Sequence, residues 1–265
     1  MLTIRLRLRL WPVLAALACL FPCAVTTGFA EEGRKVRIAV EGAFPPFNFV
    51  DTNQELQGFD VDIAKALCNA GKLRCEFVIQ EWTGMIPNLV KKRYDAIISS
   101  MSMSAERRGR VAFSNRYYNS PSILVTRRDI TLESADLKGL ADLKLGVTAS
   151  TTQEEYAKHE LPGIETIVFD ASPKLYQGLA DGAVDVILED KLAIYDWLAN
   201  TRAGAYCAFA GEDIVSDEFF GEGAGIAVRL DDDDLRQTFN KALETITANG
   251  TYDEINAKYF PFSIQ

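Results

Sequence analysis

Histidine is nearly missing from this chain: one residue, His159, stands among 265. The five cysteines include no CxxC pair. Zinc and most other transition-metal centres draw on those two residue types, so no metal site is expected. There is no GxSxG elbow for a nucleophilic serine, and His159 lies in the polar stretch AKHE, away from any serine it could activate. Neither GxxxxGK[ST] nor GxGxxG occurs, which leaves no loop to cradle a phosphate and no cofactor to expect. Positive charge is also short: 28 Lys and Arg against 37 Asp and Glu give a net charge of −9. A nucleic-acid partner would need a basic face and is not expected. Beyond the N-terminus no apolar run reaches the roughly 18 residues needed to cross a bilayer.

The N-terminus itself is informative. Arg5, Arg7 and Arg9 precede an apolar run from Leu10 to Phe21, and Gly28-Phe29-Ala30 supplies small residues at the cleavage positions. This is the layout of a secretory signal peptide, with cleavage expected after Ala30. The signal carries three basic and no acidic residues, so the mature chain keeps 25 basic against 37 acidic residues, a net of −12. Export makes the cysteines readable, because disulfides persist in oxidising compartments. Cys19 and Cys23 leave with the signal. Cys68 and Cys75 flank the short turn NAGKLR and form a candidate disulfide, worth about 2–3 kcal/mol on chain-entropy grounds. Cys207 is left as an expected buried free thiol.

Strand and helix signals alternate along the rest. VRIAV (36–40), CEFVIQEW (75–82) and DAIISSM (95–101) read as strands; GFDVDIAKALCNAG (58–71) and MIPNLVKKRY (85–94) read as helices. The rhythm returns with LKLGVTAS (143–150), TIVFDA (166–171) and VDVILED (184–190), each followed by a helical segment. Ser172-Pro173 looks like an N-cap with proline at the first helical position. Such βαβ alternation predicts mostly parallel sheets with helices on both faces, here in two α/β lobes. The run DDDD (231–234) is expected at a helix N-terminus, complementing the dipole.

Ligands bind open α/β sheets at the carboxyl edge of the strands. The stretch ISSMSMSAERR delivers Ser99 and Ser100 to that edge, with Ser102 next and Ser104 placed to cap a helix. Arg107 then falls in the first helical turn, where a cation opposes the dipole. A guanidinium with hydroxyls and free amides around it suits a carboxylate. Arg108 and Arg110 are read as solvated. At the same edge, EGAFPPFNF places Glu41 among Phe44, Phe47 and Phe49, a setting for a cation with an apolar stem. Trp82 ends the second strand there. GVTASTTQE offers hydroxyls and a helix N-terminus for an anion, with Thr151 and Glu154 at capping-box spacing. LED ends another strand with Glu189 and Asp190, of which strand alternation lets only one face the cleft.

The ordered set EGAFPPFNF, GFDVDIA, MIPNL, YDAIISSMSMSAERR, VAFSNRYY, GVTASTTQEEYA and NGTYDEINAKYF resembles the periplasmic polar amino-acid binding proteins of ABC importers, across 35–262. The lysine/arginine/ornithine and histidine branch is the most similar, with opine binders nearby, and Cys68 and Cys75 match that branch's disulfide. The resemblance implies a type II periplasmic binding protein fold with a two-strand hinge. Lobe one would hold 31–120 and 221–265, and lobe two 121–220. It implies a monomeric periplasmic receptor that hands a small amino acid to an inner-membrane ABC permease, without cofactor or catalysis. Ser100, Ser102, Arg107 and Thr152 match positions that hold the ligand α-carboxylate. Asp190 matches the acid for the α-ammonium, helped by Ser102, and Glu41 the acid for a distal cation. Phe44 and Trp82 match aromatic walls; Ser99, Thr151 and Gln153 match polar positions near the side chain. Glu41, Phe44 and Trp82 stand where binders of basic amino acids often carry Asp, Tyr and Phe, and the Glu with the Trp is a departure toward the opine binders. Cyclohexadienyl and arogenate dehydratases also share this likeness, and are the enzymatic alternative.

Overall fold

The computed structural model describes residues 33–265, apart from Glu133 and Ala135. The signal segment 1–30 lies outside the described residues. The chain opens with β1 (Lys35–Val40) and a small antiparallel sheet of β2 (Ala43–Phe44), β3 (Asn48–Val50) and β4 (Leu56–Gln57). Then come α1 (Phe59–Ala70), β5 (Arg74–Ile79), α2 (Met85–Val90), β6 (Ala96–Ile97), α3 (Ala105–Arg108) and β7 (Ala112–Tyr118). A second run holds β8 (Ser122–Arg127), α4 (Leu137–Leu140), β9 (Leu145–Thr148), α5 (Thr152–Glu160), β10 (Thr166–Phe169), α6 (Ser172–Asp181), β11 (Val186–Asp190), α7 (Lys191–Asn200) and β12 (Cys207–Ile214). β13 (Ala224–Val228), α8 (Asp233–Ala248) and α9 (Thr251–Tyr259) complete the chain.

The strands form two five-stranded sheets, ordered β5-β1-β6-β13-β7 and β10-β9-β11-β8-β12. Three strands of each run parallel, joined by helical crossovers. β13 and β8 run antiparallel to both neighbours. The sheets are therefore mixed, where local alternation predicts only the parallel part. Both exceptions are strands met directly after the chain has passed from one sheet to the other, first between Tyr118 and Ser122 and again between Ile214 and Ala224. That pairing is long-range and leaves no periodic trace in the sequence.

Each sheet is buried on both faces. One face of the first carries Val36, Ile38, Ile98 and Ile226 against α1, α8 and α9; the other packs Ala39, Ile97 and Ala227 on α2. α8 shows why it is helical: Leu235, Phe239, Ala242, Leu243 and Ile246 recur at helical spacing and are all buried. Truncating Phe239 to alanine would cost about 3–5 kcal/mol. Asp233 and Asp234 occupy the first turn of α8, as DDDD predicts. Gly58 stands at the N-cap of α1, and its φ of 124° and close approach to the Phe47 carbonyl leave no room for a Cβ. The turn after α1 is closed by the Cys68–Cys75 disulfide, and Cys207 is a buried free thiol.

Candidate functional site

The loops at the carboxyl ends of both sheets meet in one cleft, with about 460 Å³ of empty space, open mouth included. All eleven residues singled out in the sequence line it: Glu41, Phe44, Trp82, Ser99, Ser100, Ser102, Arg107, Thr151, Thr152, Gln153 and Asp190. Thr148, Ser172 and Glu189 join them. A wider groove on the far side of Trp82 and Arg107 is open and lined by exposed charges such as Glu106 and Lys158. The inner cleft has the convergent buried polar groups of a small-molecule site.

Arg107 is the anchor on the first sheet's side. Ser104 caps α3 and accepts from the Arg107 N–H at 3.4 Å, which fixes the start of the helix. The guanidinium is 5% exposed and donates to two carbonyls, Ser102 at 3.2 Å and Ser150 at 3.1 Å. It lies 5.1 Å over the Trp82 ring. Among the described residues no carboxylate pairs with it. Burial pushes its pKa down to about 10, so the cation lacks compensation that an anionic ligand would supply. The Ser102 N–H has no protein acceptor among the described residues, and neither has that of Thr152, the first residue of α5. Together with Arg107 they are donors of the kind that a carboxylate accepts from.

Asp190 lines the same cleft from the second sheet, at the end of β11. Its Oδ1 is saturated: it accepts from Ser120 Oγ at 2.8 Å and from the Leu192 and Ala193 N–H groups at 2.9 and 3.0 Å, capping α7. Oδ2 is left for the cleft. Burial holds the carboxyl up at about 6. Glu41 follows β1 and receives no hydrogen bond on its carboxylate from the described residues. Burial, then the charge of Asp60, raises it to about 7. Asp60 lies beneath, fully buried but satisfied by Tyr117, Asn48 and Ser100.

Several residues sit differently from their sequence reading. Trp82 does not end a strand; β5 stops at Ile79 and Trp82 opens a 3-10 turn, its indole N–H donating to the Ser150 carbonyl at 3.0 Å. Ser100 has both donors engaged, its N–H on the Tyr117 hydroxyl and its Oγ on Asp60. It has no donor left for a carboxylate; its carbonyl suits an ammonium instead. Ser172 is not the N-cap of α6; Ala171 takes that place, and Ser172 Oγ donates to Glu189 at 3.0 Å. Glu189 and Asp190 both line the cleft, because Asp190 ends β11 by turning into the cap of α7. Thr151 caps α5 as expected, but Glu154 reaches back to the Ser150 N–H rather than to Thr151.

The remaining polar groups are braced. Ser99 Oγ accepts from the Glu41 N–H, and Gln153 Nε2 donates to Ser122 Oγ at 2.9 Å. Ser100 and Ser150 hold left-handed backbone, at φ 53° and 59°. Each such residue costs on the order of 1 kcal/mol, which is tolerated where it aims groups at a site. His159 is exposed beside Glu155 and lines the outer groove, not the inner cleft. Among the described residues no group of three or more His, Cys, Asp or Glu is placed to hold a metal ion, and no helix is long and apolar enough to cross a membrane.

Residues 36–262 match the bacterial extracellular solute-binding proteins, family 3. The chain is 40% identical to an L-arginine-binding protein of Pseudomonas aeruginosa over 87% of its length and 90% of the relative. It is 32% identical to the lysine/arginine/ornithine-binding periplasmic protein of Escherichia coli, over 90% and 92%. Among solved structures it is similar to a Salmonella typhimurium periplasmic binding protein described for high arginine specificity. That match has a TM-score of 0.79 and 30% identity, covering 86% of this chain and all of the other. These relatives are two-lobed binding proteins, and the two-sheet α/β architecture here is theirs.

Proposed function

The chain belongs to the family 3 bacterial extracellular solute-binding proteins, and on that premise we propose that it captures a basic amino acid, arginine foremost, between two lobes. Residues 31–120 with 221–265 form the first lobe and 121–220 the second, hinged where the chain crosses between the sheets. The observation that carries the reading is the polarity of the cleft: it is lined both by Arg107, a buried cation with no acid paired to it among the described residues, and by Asp190, an acid whose Oδ2 accepts no hydrogen bond from those residues. An α-amino acid brings the complement of both. Arg107 and the N–H groups of Ser102 and Thr152 take the carboxylate. Asp190 Oδ2 and the Ser100 carbonyl take the ammonium, with Ser102 Oγ beside them. Phe44 and Trp82 line the stem, and Glu41 meets the distal cation.

A ligand touching both lobes favours the closed state by its differential contacts. Trp82 and Arg107 already reach across to the Ser150 carbonyl, so closure is held by protein hydrogen bonds as well as by ligand. The protein acts as a monomer in the periplasm after signal removal, and passes its ligand to an ABC permease. No covalent step is assigned to the cleft; turnover of prephenate or arogenate would reject that.

Calorimetry on refolded, ligand-free protein tests the reading, with arginine, ornithine, lysine, histidine, octopine, nopaline, glutamine and glutamate. Arginine should bind tightest or close to it, and glutamate not measurably. Preference for glutamine or glutamate over every basic ligand would overturn the proposal.

A further inference from the structure

Glu189 is unused by the scheme above, yet it lines the same cleft and is only 4% exposed. Its Oε1 accepts from the Asp190 N–H at 2.8 Å and its Oε2 from Ser172 Oγ at 3.0 Å. Ser172 Oγ in turn lies 3.3 Å from Thr148 Oγ1. These are neutral donors, and among the described residues no cation pairs with Glu189. A buried carboxylate has about four acceptor sites and needs charge compensation as well. The fold supplies two hydrogen bonds and none of the compensation.

Tyr176 points to the same place independently. It lies on α6, one turn beyond Ser172, and is 3% exposed. Among the described residues its hydroxyl has no hydrogen-bond partner. Tyr176 does not line the cleft itself; it lies on α6 behind the wall that Ser172 and Glu189 form, where Ser172 and the carboxylates of Glu189, Asp190 and Glu41 act on it. An orphaned hydroxyl is rare in a protein interior and calls for a ligand atom or water.

We propose that Glu189 and Glu41, one from each lobe, form a two-sided carboxylate seat for the distal cation of the ligand, backed by the Tyr176 hydroxyl, and that this seat selects a guanidinium over a primary ammonium. The inference rests on reading the cleft as a site for a basic amino acid. Arg107 balances the ligand carboxylate and Asp190 the α-ammonium, which leaves two acids for one distal charge. A guanidinium is planar, with five N–H donors on more than one edge, so it can present an edge to each wall at once. An ammonium is a compact point charge with three donors on one atom, so it spans two walls less readily than a guanidinium.

The test is calorimetry of wild type, Glu189→Gln and Tyr176→Phe against arginine, lysine, ornithine and glutamine. Glutamine at 189 keeps the acceptor for the Asp190 N–H and removes the charge. Glu189→Gln should lower arginine affinity at least about tenfold. Lysine and ornithine should fall less than about threefold, and glutamine should not change. Tyr176→Phe should weaken arginine about threefold without lowering the melting temperature, because the hydroxyl has no partner among the described residues to lose. Unchanged arginine affinity in Glu189→Gln, or an equal loss for all four ligands, overturns the seat. A wild type that binds none of the basic amino acids rejects the functional reading itself, and that result is visible before any variant is made.

Discussion

Ser120 donates its hydroxyl to Asp190 Oδ1 at 2.8 Å, tying the first crossing between the sheets to an acid in the cleft. The same oxygen caps α7, so one carboxylate serves hinge, helix and cleft together. Asparagine can keep the cap and the Ser120 contact through its carbonyl oxygen, but not the charge. Asp190→Asn should therefore weaken amino-acid binding at least about tenfold while leaving the melting temperature nearly unchanged. Asp190→Ala should lose binding and also about 1 kcal/mol of stability with the cap. Calorimetry beside thermal melts separates the two; wild-type affinity in Asp190→Asn would remove Asp190 from the site.

Arg107 yields a contrast of another kind. It is buried with no acidic partner among the described residues, so its removal should not destabilise the ligand-free protein as the loss of an ion pair would. Arg107→Ala should weaken binding of every α-amino acid alike, by at least about tenfold, because the contact is to the common carboxylate. A loss confined to basic ligands would place Arg107 at the wrong end of the molecule.

The carboxylates of the cleft give a pH dependence with a definite sign. Burial raises Asp190 from 3.8 to about 6, Glu41 from 4.5 to about 7 and Glu189 from 4.5 to about 8. The closed, ligand-free protein thus holds more protons than the unfolded chain between about pH 4 and pH 8. The contribution of these groups is fully present below about pH 4 and is lost as pH rises through about 6 to 8. Melting temperatures of the ligand-free protein should fall across that window, and less steeply in Glu189→Gln. Arginine should raise the melting temperature more at pH 8 than at pH 5. Identical pH slopes for wild type and Glu189→Gln would show that Glu189 is not held in this environment.

Much of this was legible in the sequence where physics is local. The apolar spacing of α1 and the runs of β1 and β11 announce themselves, and Arg107 stands out because a cation opposes the helix dipole there. What escaped depends on where an element ends. Strand alternation excludes one of Glu189 and Asp190 only while the strand continues, and Asp190 is where it turns into a helix cap. Ser172 reads as a cap from its neighbour Pro173, but Glu189, seventeen positions away, takes its hydroxyl instead. The antiparallel strands β8 and β13 follow from pairing between distant segments, which no local period records.

On the proposed reading, Glu41 decides the class of ligand. Its carboxylate receives no hydrogen bond from the described residues, and burial raises its pKa to about 7. Ionised and unpaired in a closed cleft it is costly, and a cationic side chain offsets that cost. Stacking on Trp82 cannot carry the preference alone, since Arg107 already lies 5.1 Å over that ring and a second guanidinium would share it. The charge at position 41 therefore carries more of the selectivity than the aromatic wall. Glutamate should be rejected, because it would set its own carboxylate against Glu41. Glu41→Gln removes the charge at nearly constant volume. Arginine affinity should then fall at least about tenfold, a loss of about 1.4 kcal/mol or more, while glutamine affinity stays within about threefold of wild type. Parallel titrations of the two ligands read this directly, and equal losses for both would show that Glu41 shapes the cleft without choosing its ligand.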